Sequence, residues 1–312
     1  MKRVLVTGGT GFIGRNCLGP LLDRGFEVHA VCHDAPPIDR AGVRWHRADL
    51  LASAQLKRLV SDVAPSHLLH MAWIAKPGIY MQSTENLVWL ESGLSLLRSF
   101  IACGGRRVVA AGTCFEYDWE YGYCREEKTP LQPSTFYGTC KHALQTALAG
   151  LSRQSGLSSA WGRIFFLYGP HEHPDRLVSS VIRSMLRGEQ ALCTPGDQIR
   201  DFLHVEDVAG AFVALLDSDV SGAVNIASGR PLAVRDVIHT IAEEIGRSEL
   251  VKLGALPARP TEPPLLVADT RRLHDEVEFV PNFELQRGIQ ATIDWWRQSE
   301  TPEARRRTTN KR

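Results

Sequence analysis

The chain begins with a short run rich in β-branched residues, RVLVT (residues 3 to 7), that passes straight into TGGTGFIG and then into a helical stretch ending near Arg24. Gly8, Gly11 and Gly14 fall three residues apart in that turn. Glycines between a strand and a helix permit a tight turn and close backbone approach, and the helix N-terminus behind them offers free N–H groups and partial positive charge. The placement predicts a dinucleotide site whose pyrophosphate rests on this turn.

The order of the following segments extends the pattern. EVHAVCHD reads as a second strand, followed by the loop APPID; VRWHRADL reads as a third strand, Ala54 to Val63 as a helix, HLLHMAW as a fourth strand, Asn86 to Cys103 as a helix and RRVVAAGT as a fifth strand. Such alternation implies an α/β fold with a parallel sheet and helices on both faces. Past Tyr137 the alternation loosens. SAWGRIFFLYGP reads as a strand and its exit, PDRLVSSVIRSML as a helix, and FLHVEDVAGAFVALL as another helix with its lead-in. The segment ALPARPTEPPLL is too proline-rich for a central sheet, and FELQRGIQATIDWWRQ gives a closing amphipathic helix. The later part therefore reads as a smaller, interleaved substrate domain, with residues 1–166 and 202–226 assigned to dinucleotide binding and 167–201 and 227–298 to substrate. The basic run from 299 to 312 reads as a disordered, solvated tail.

Composition narrows the partners. A chain of 312 residues with 44% hydrophobic content can bury a large core, and 36 basic against 35 acidic residues give no overall field for nucleic acid or membrane. Seven cysteines without C-x-x-C spacing do not make a disulfide framework, which fits a reducing, cytoplasmic setting. No signal peptide or apolar run of the ~20 residues needed to span a membrane is evident.

FYGTCK (residues 136 to 141) places Tyr137 and Lys141 one turn apart on the same face if the segment is helical. Together with TGGTGFIG and RDFLHVEDV, this pair makes the chain resemble the extended short-chain dehydrogenase/reductase family from about residue 3 to 297. The resemblance implies a doubly wound (Rossmann) sheet that binds NAD or NADP, action on nucleotide-diphosphate sugars, and Y-x-x-x-K as the catalytic signature. It implies cofactor contacts at Gly8, Gly11, Phe12, Ile13, Gly14 and Arg15, at Asp49 and Leu50 against the adenine, at Met71 and Ala72 beside the nicotinamide, and at Tyr137 and Lys141. Thr113, at the end of the fifth strand, matches the family's Ser/Thr. The implied mechanism has Lys141 favour the Tyr137 phenolate, Tyr137 exchange a proton with a sugar oxygen, and Thr113 bond that oxygen.

An NAD enzyme usually carries an acid at the end of the second strand, about 20 residues past the glycines. Cys32 stands there, followed by His33; with Arg15 these residues make NADP(H) the favoured cofactor, although Asp34 keeps NAD(H) open. Sugar 4,6-dehydratases of the family carry Asp-Glu after the threonine, where this chain has Cys114 and Phe115. Neither suits that elimination, and Glu116 in an extended segment would point to a different face. Phe166 replaces an asparagine that commonly holds the sugar diphosphate, whereas Arg200 matches an arginine suited to that anion, with Arg176 and Arg259 as further candidates. The aromatics Phe115, Tyr117, Trp119, Tyr121 and Tyr123 alternate at strand-like spacing and suit either a sugar-pocket wall or packing. His171 and His173 lack a completing ligand set, so no metal is expected.

These observations converge on an NADP(H)-dependent reductase of a nucleotide-diphospho-4-keto-6-deoxy sugar, with an NAD-dependent 4-epimerase as alternative. A non-catalytic dinucleotide-binding redox sensor is the alternative from another class, ranked lower because Thr113, Tyr137 and Lys141 are all present. Resemblance also points to a homodimer.

Overall fold

The structure, a computed structural model, describes residues 2–34, 40–258 and 262–300. Its strands in chain order are β1 (Arg3–Thr7), β2 (Glu27–Cys32), β3 (Val43–Arg47), β4 (His67–His70), β5 (Arg107–Thr113), β6 (Tyr123–Cys124), β7 (Ser158–Ile164), β8 (Phe166–Tyr168), β9 (Ala191–Leu192), β10 (Ile199–His204), β11 (Gly222–Ile226), β12 (Pro231–Ala233), β13 (Val251–Lys252) and β14 (Leu265–Ala268). The helices are α1 (Gly14–Asp23), α2 (Ser53–Val63), α3 (Glu85–Ala102), α4 (Phe136–Ser155), α5 (Leu177–Leu186), α6 (Val205–Asp217), α7 (Val234–Ile245) and α8 (Leu285–Ser299).

Seven strands form one parallel sheet in the order β11-β7-β5-β4-β1-β2-β3. The central strands are apolar on both faces because helices cover both: β5 is buried along its whole length, and β1 from Val4 to Thr7. One face packs α1 and α6 against Val4, Val6 and Val109; the other packs α2, α3 and α4 against Leu5, Leu68 and Val108. Each fully buried leucine or valine contributes about 1.5–3 kcal/mol. Helix α6 is apolar nearly all round, as a helix enclosed between sheet and neighbours must be.

A second sheet, β12-β10-β14-β6 with β8 alongside β10, carries a separate core built with α5, α7 and α8. The proline-rich stretch thus ends in a strand: Leu265 and Leu266 enter β14, which pairs with β10 and β6 in this second sheet and not in the central one. The leading residues FLH are strand as well, lying in β10. Register brings the C-terminal ends of β1, β4 and β5 to one edge, with Thr7 opposite His70 and His70 opposite Ala110. Among the described residues no helix is long and apolar enough to cross a membrane, and all seven cysteines are free.

Candidate active site

At the end of β1 the chain turns through Gly8 (φ +69°), where a Cβ would lie 2.8 Å from the Ala72 nitrogen. A Cβ on Gly14 would collide with the Gly8 carbonyl oxygen, which already accepts from the Gly11 N–H at 2.9 Å. Only glycine closes this turn. Helix α1 then starts without a side-chain cap and without an acidic residue in its first turn, so no side-chain charge offsets its positive end at the turn. Backbone donors and a lining without side chains fit a dinucleotide's pyrophosphate. Gly11 is exposed on this surface, with Phe12 and Ile13 half-buried behind it. Arg15 donates to the Thr10 carbonyl at 3.1 Å, while its buried Nε has no partner.

Along the sheet edge, Cys32 is buried, its thiol directed at the His46 carbonyl (3.6 Å), and burial pushes that thiol up. His33 and Asp34 beyond it are exposed and lie 3.3 Å apart. Asp49 accepts the Leu51 N–H at 2.9 Å and fixes the turn that buries Leu50. The Met71 and Ala72 N–H groups turn back onto the Thr7 hydroxyl at 3.2 and 3.3 Å. With that oxygen accepting twice, its proton goes to His70 Nδ1 (2.7 Å), leaving a buried His70 Nε2–H without partner at the edge where β1, β4 and β5 end. Burial lowers His70 to about 3, so it stays neutral.

Tyr137 and Lys141 lie on α4, whose first turn is capped by Thr135, the side-chain oxygen accepting the Gly138 N–H at 3.0 Å. A Cβ on Gly138 would strike the Phe115 carbonyl oxygen, so this glycine lets α4 press on the turn after β5. That approach brings the Tyr137 phenol into the neighbourhood of Thr113. The Tyr137 ring meets the rings of Tyr80 (4.9 Å) and Phe115 (6.2 Å) edge-on, and burial pushes its phenol well above the usual range. Lys141, 2% exposed, donates to the Ala111 carbonyl at 2.8 Å and sits 4.1 Å from the Trp73 ring. Burial brings its ammonium down to about 7, opposed by the charge of Glu116.

Contrary to the extended geometry expected after Thr113, residues Cys114–Glu116 form a 3-10 turn. Thr113 caps it, and Glu116 folds back to accept the Thr113 N–H at 2.8 Å. Glu116 is fully buried, bonded to the Trp161 indole N–H (2.9 Å) and ion-paired with Arg163 (2.9 Å). Every lone pair that would take a substrate proton is engaged. Cys114 is buried with its thiol held well above its usual value by desolvation. Of the aromatic run only Tyr123 lies in a strand, β6; Trp119–Tyr121 form a second 3-10 turn. Its members part company, Phe115 packing on Trp119 (5.0 Å), Tyr117 buried and donating to Asn225 (2.7 Å), Tyr121 and Tyr123 exposed.

On the opposite side, Arg200 is buried and donates to Glu262 at 3.0 Å while lying 5.3 Å from the Phe166 ring. Phe166 also packs on Phe202 (5.9 Å). Arg176 stands at the N-cap position of α5 with its guanidinium over the Tyr80 ring (5.2 Å), which links it through one ring to Tyr137. Arg259 lies outside the described residues. His171 packs at a tilt against Trp295 (4.6 Å), whereas His173 faces Asp175 (3.7 Å), so the two imidazoles have separate partners. The sequence analysis passed over Trp73, Tyr80 and Glu262, which reach the site from loops with no periodicity to flag them.

Residues 4–227 match the model of the NAD dependent epimerase/dehydratase family. The dTDP-6-deoxy-L-talose 4-dehydrogenase (NAD(+)) of Aggregatibacter actinomycetemcomitans is 26% identical over 82% of this chain and 95% of its own length. The UDP-glucose 4-epimerase of Azospirillum brasilense is 29% identical over 96% of this chain and 93% of its own. The solved structure of MoeE5 in complex with UDP-glucuronic acid and NAD superposes with a TM-score of 0.81 at 31% identity, covering 95% of this chain and 99% of the other. With the family model matching residues 4–227, the chain belongs to the NAD dependent epimerase/dehydratase family, enzymes of the extended short-chain dehydrogenase/reductase type.

Proposed function

We propose that the chain reduces the 4-keto group of a nucleotide-diphospho-4-keto-6-deoxy sugar. The observation that carries this reading is the engagement of Glu116 by Arg163, Trp161 and the Thr113 N–H, which leaves Tyr137 as the proton-exchanging group beside Thr113. Elimination of water across two carbons needs a further acid and base; oxidation or reduction at one carbon needs one proton and one hydride. A bound nicotinamide supplies the hydride. Tyr137, held as the neutral phenol by burial, donates the proton to the carbonyl oxygen, and Thr113 orients that oxygen. Lys141 places positive charge beside the phenol and eases its ionisation as the proton leaves. The 4-dehydrogenase relative, named for a 6-deoxy sugar, supports this assignment in its reverse direction.

NADP(H) is the proposed cofactor because no carboxylate projects from position 32, where a buried thiol stands, and His33 is exposed beside it. The glycine turn, Arg15, Asp49, Leu50, Met71 and Ala72 would hold the dinucleotide within residues 1–166 and 202–226. Arg176, Arg200 and Arg259 would hold the sugar diphosphate from 167–201 and 227–298. NAD-linked 4-epimerisation is the second reading, favoured by the Azospirillum epimerase and by the NAD held in MoeE5. A homodimer is supported by Leu87, Val88 and Leu94, exposed along α3, and a reducing cytoplasmic setting by the unpaired cysteines. The test is incubation with NADPH or NADH and a panel of nucleotide-linked 4-keto-6-deoxy sugars and ordinary nucleotide hexoses. Stoichiometric loss of reduced cofactor with formation of a deoxysugar supports reduction; isomer exchange without net cofactor change supports epimerisation.

A further inference from the structure

Trp73 directly follows the Met71–Ala72 pair that turns onto Thr7, and its side chain lies against the Lys141 ammonium, 4.1 Å from ring centroid to Nζ. The indole N–H donates to Asn86 Oδ1 at 2.8 Å. Asn86, fully buried at the start of α3, spends both amide protons on the carbonyls of Tyr80 (2.7 Å) and Ser83 (2.8 Å). The Met81 carbonyl accepts the Tyr137 N–H at 3.0 Å. One buried amide therefore anchors the loop after β4, whose two aromatic rings meet Lys141 and Tyr137 respectively.

We propose that Trp73 is a positioning residue for Lys141, its indole face carrying the buried ammonium beside Tyr137. No side-chain carboxylate lies within ion-pair distance of Lys141 among the described residues. Its one hydrogen bond runs to the Ala111 carbonyl, and Glu116 acts on it only at longer range, already neutralised by Arg163. His70 at the end of β4 is neutral, and Tyr137 is a neutral phenol. An aromatic face at this distance in a desolvated site is the remaining stabiliser of the charged form. Indole suits the place better than benzene because its N–H ties the ring to Asn86 and fixes its tilt.

The proposal rests on Lys141 belonging to the reacting site, but its test reads the lysine directly, without substrate. Full-length protein carrying 13C-lysine is titrated by NMR, the Lys141 ε-methylene being recognised by its ring-current shift and its loss in Lys141→Met. In Trp73→Leu its midpoint falls by about one pH unit, and Trp73→Phe retains most of the wild-type value. The basic limb of kcat/KM moves by the same amount in the same variants. An unmoved or raised midpoint in Trp73→Leu overturns the proposal, and so does an equal fall in Trp73→Phe, which would assign the effect to indole volume. A shifted midpoint in a protein that turns over none of the proposed sugars keeps the positioning role and removes only the proposed reaction.

Discussion

The turn after β1 presents backbone, whereas the second sheet and the segments beside it present side chains held by other side chains. Gly8, Gly11 and Gly14 present backbone without side chains on their side, and Gly14 tolerates no Cβ. Arg200, Glu262, Arg176 and Phe166 line theirs through an ion pair and ring contacts. Backbone recognition is rigid and indifferent to the ligand's identity beyond its phosphates; side-chain recognition can be re-specified by single substitutions.

Four substitutions break or sharpen that contrast. The largest effect falls where the two walls meet: Tyr137→Phe lowers kcat by about 10³-fold, near 4 kcal/mol, while dinucleotide affinity measured by calorimetry stays within about twofold. Gly14→Ala forces the turn open against the Gly8 carbonyl. It costs about 3 kcal/mol of stability in denaturant unfolding and weakens dinucleotide binding at any nucleotide-sugar concentration.

Beside the second sheet lies a buried acid, Glu172, which accepts from Ser179 at 2.9 Å and which burial raises to about 7. A carboxyl that binds its proton more tightly folded than unfolded contributes stability present below about 4.5 and lost as pH rises through about 7. Glu172→Gln keeps the neutral form at every pH, so its unfolding free energy exceeds wild type by about 3 kcal/mol at pH 8 and by less than about 1 kcal/mol at pH 5. The smallest effect is Arg200→Met, which raises KM for the nucleotide sugar about tenfold and leaves dinucleotide affinity unchanged. Loss of dinucleotide affinity in that variant would mean that the two walls are not separable.

The same contrast explains what could be read before folding. The parallel sheet was legible because β1, β4 and β5 are short apolar runs alternating with helices, and the glycine turn because its constraint spans seven residues. Tyr137 and Lys141 were legible as one face of α4 because helical spacing is local. The geometry after Thr113 was not, since a 3-10 turn there depends on Glu116 meeting Arg163 and Trp161, 47 and 45 residues away. Trp73 and Tyr80 were missed for the same reason: they reach Lys141 and Tyr137 across 68 and 57 residues. Leu265 to Ala268 became strand despite the preceding prolines because β10 and β6 flank it.

The central claim is hydride transfer at carbon 4 of a nucleotide-linked deoxysugar. Its most direct measurement is turnover of the 4-keto-6-deoxy sugar with NADPH or NADH deuterated at the nicotinamide C4, followed by NMR of the product. Reduction predicts one deuterium at sugar C4, delivered to a single face and absent with Tyr137→Phe. Product without deuterium, or deuterium at another carbon, would contradict it.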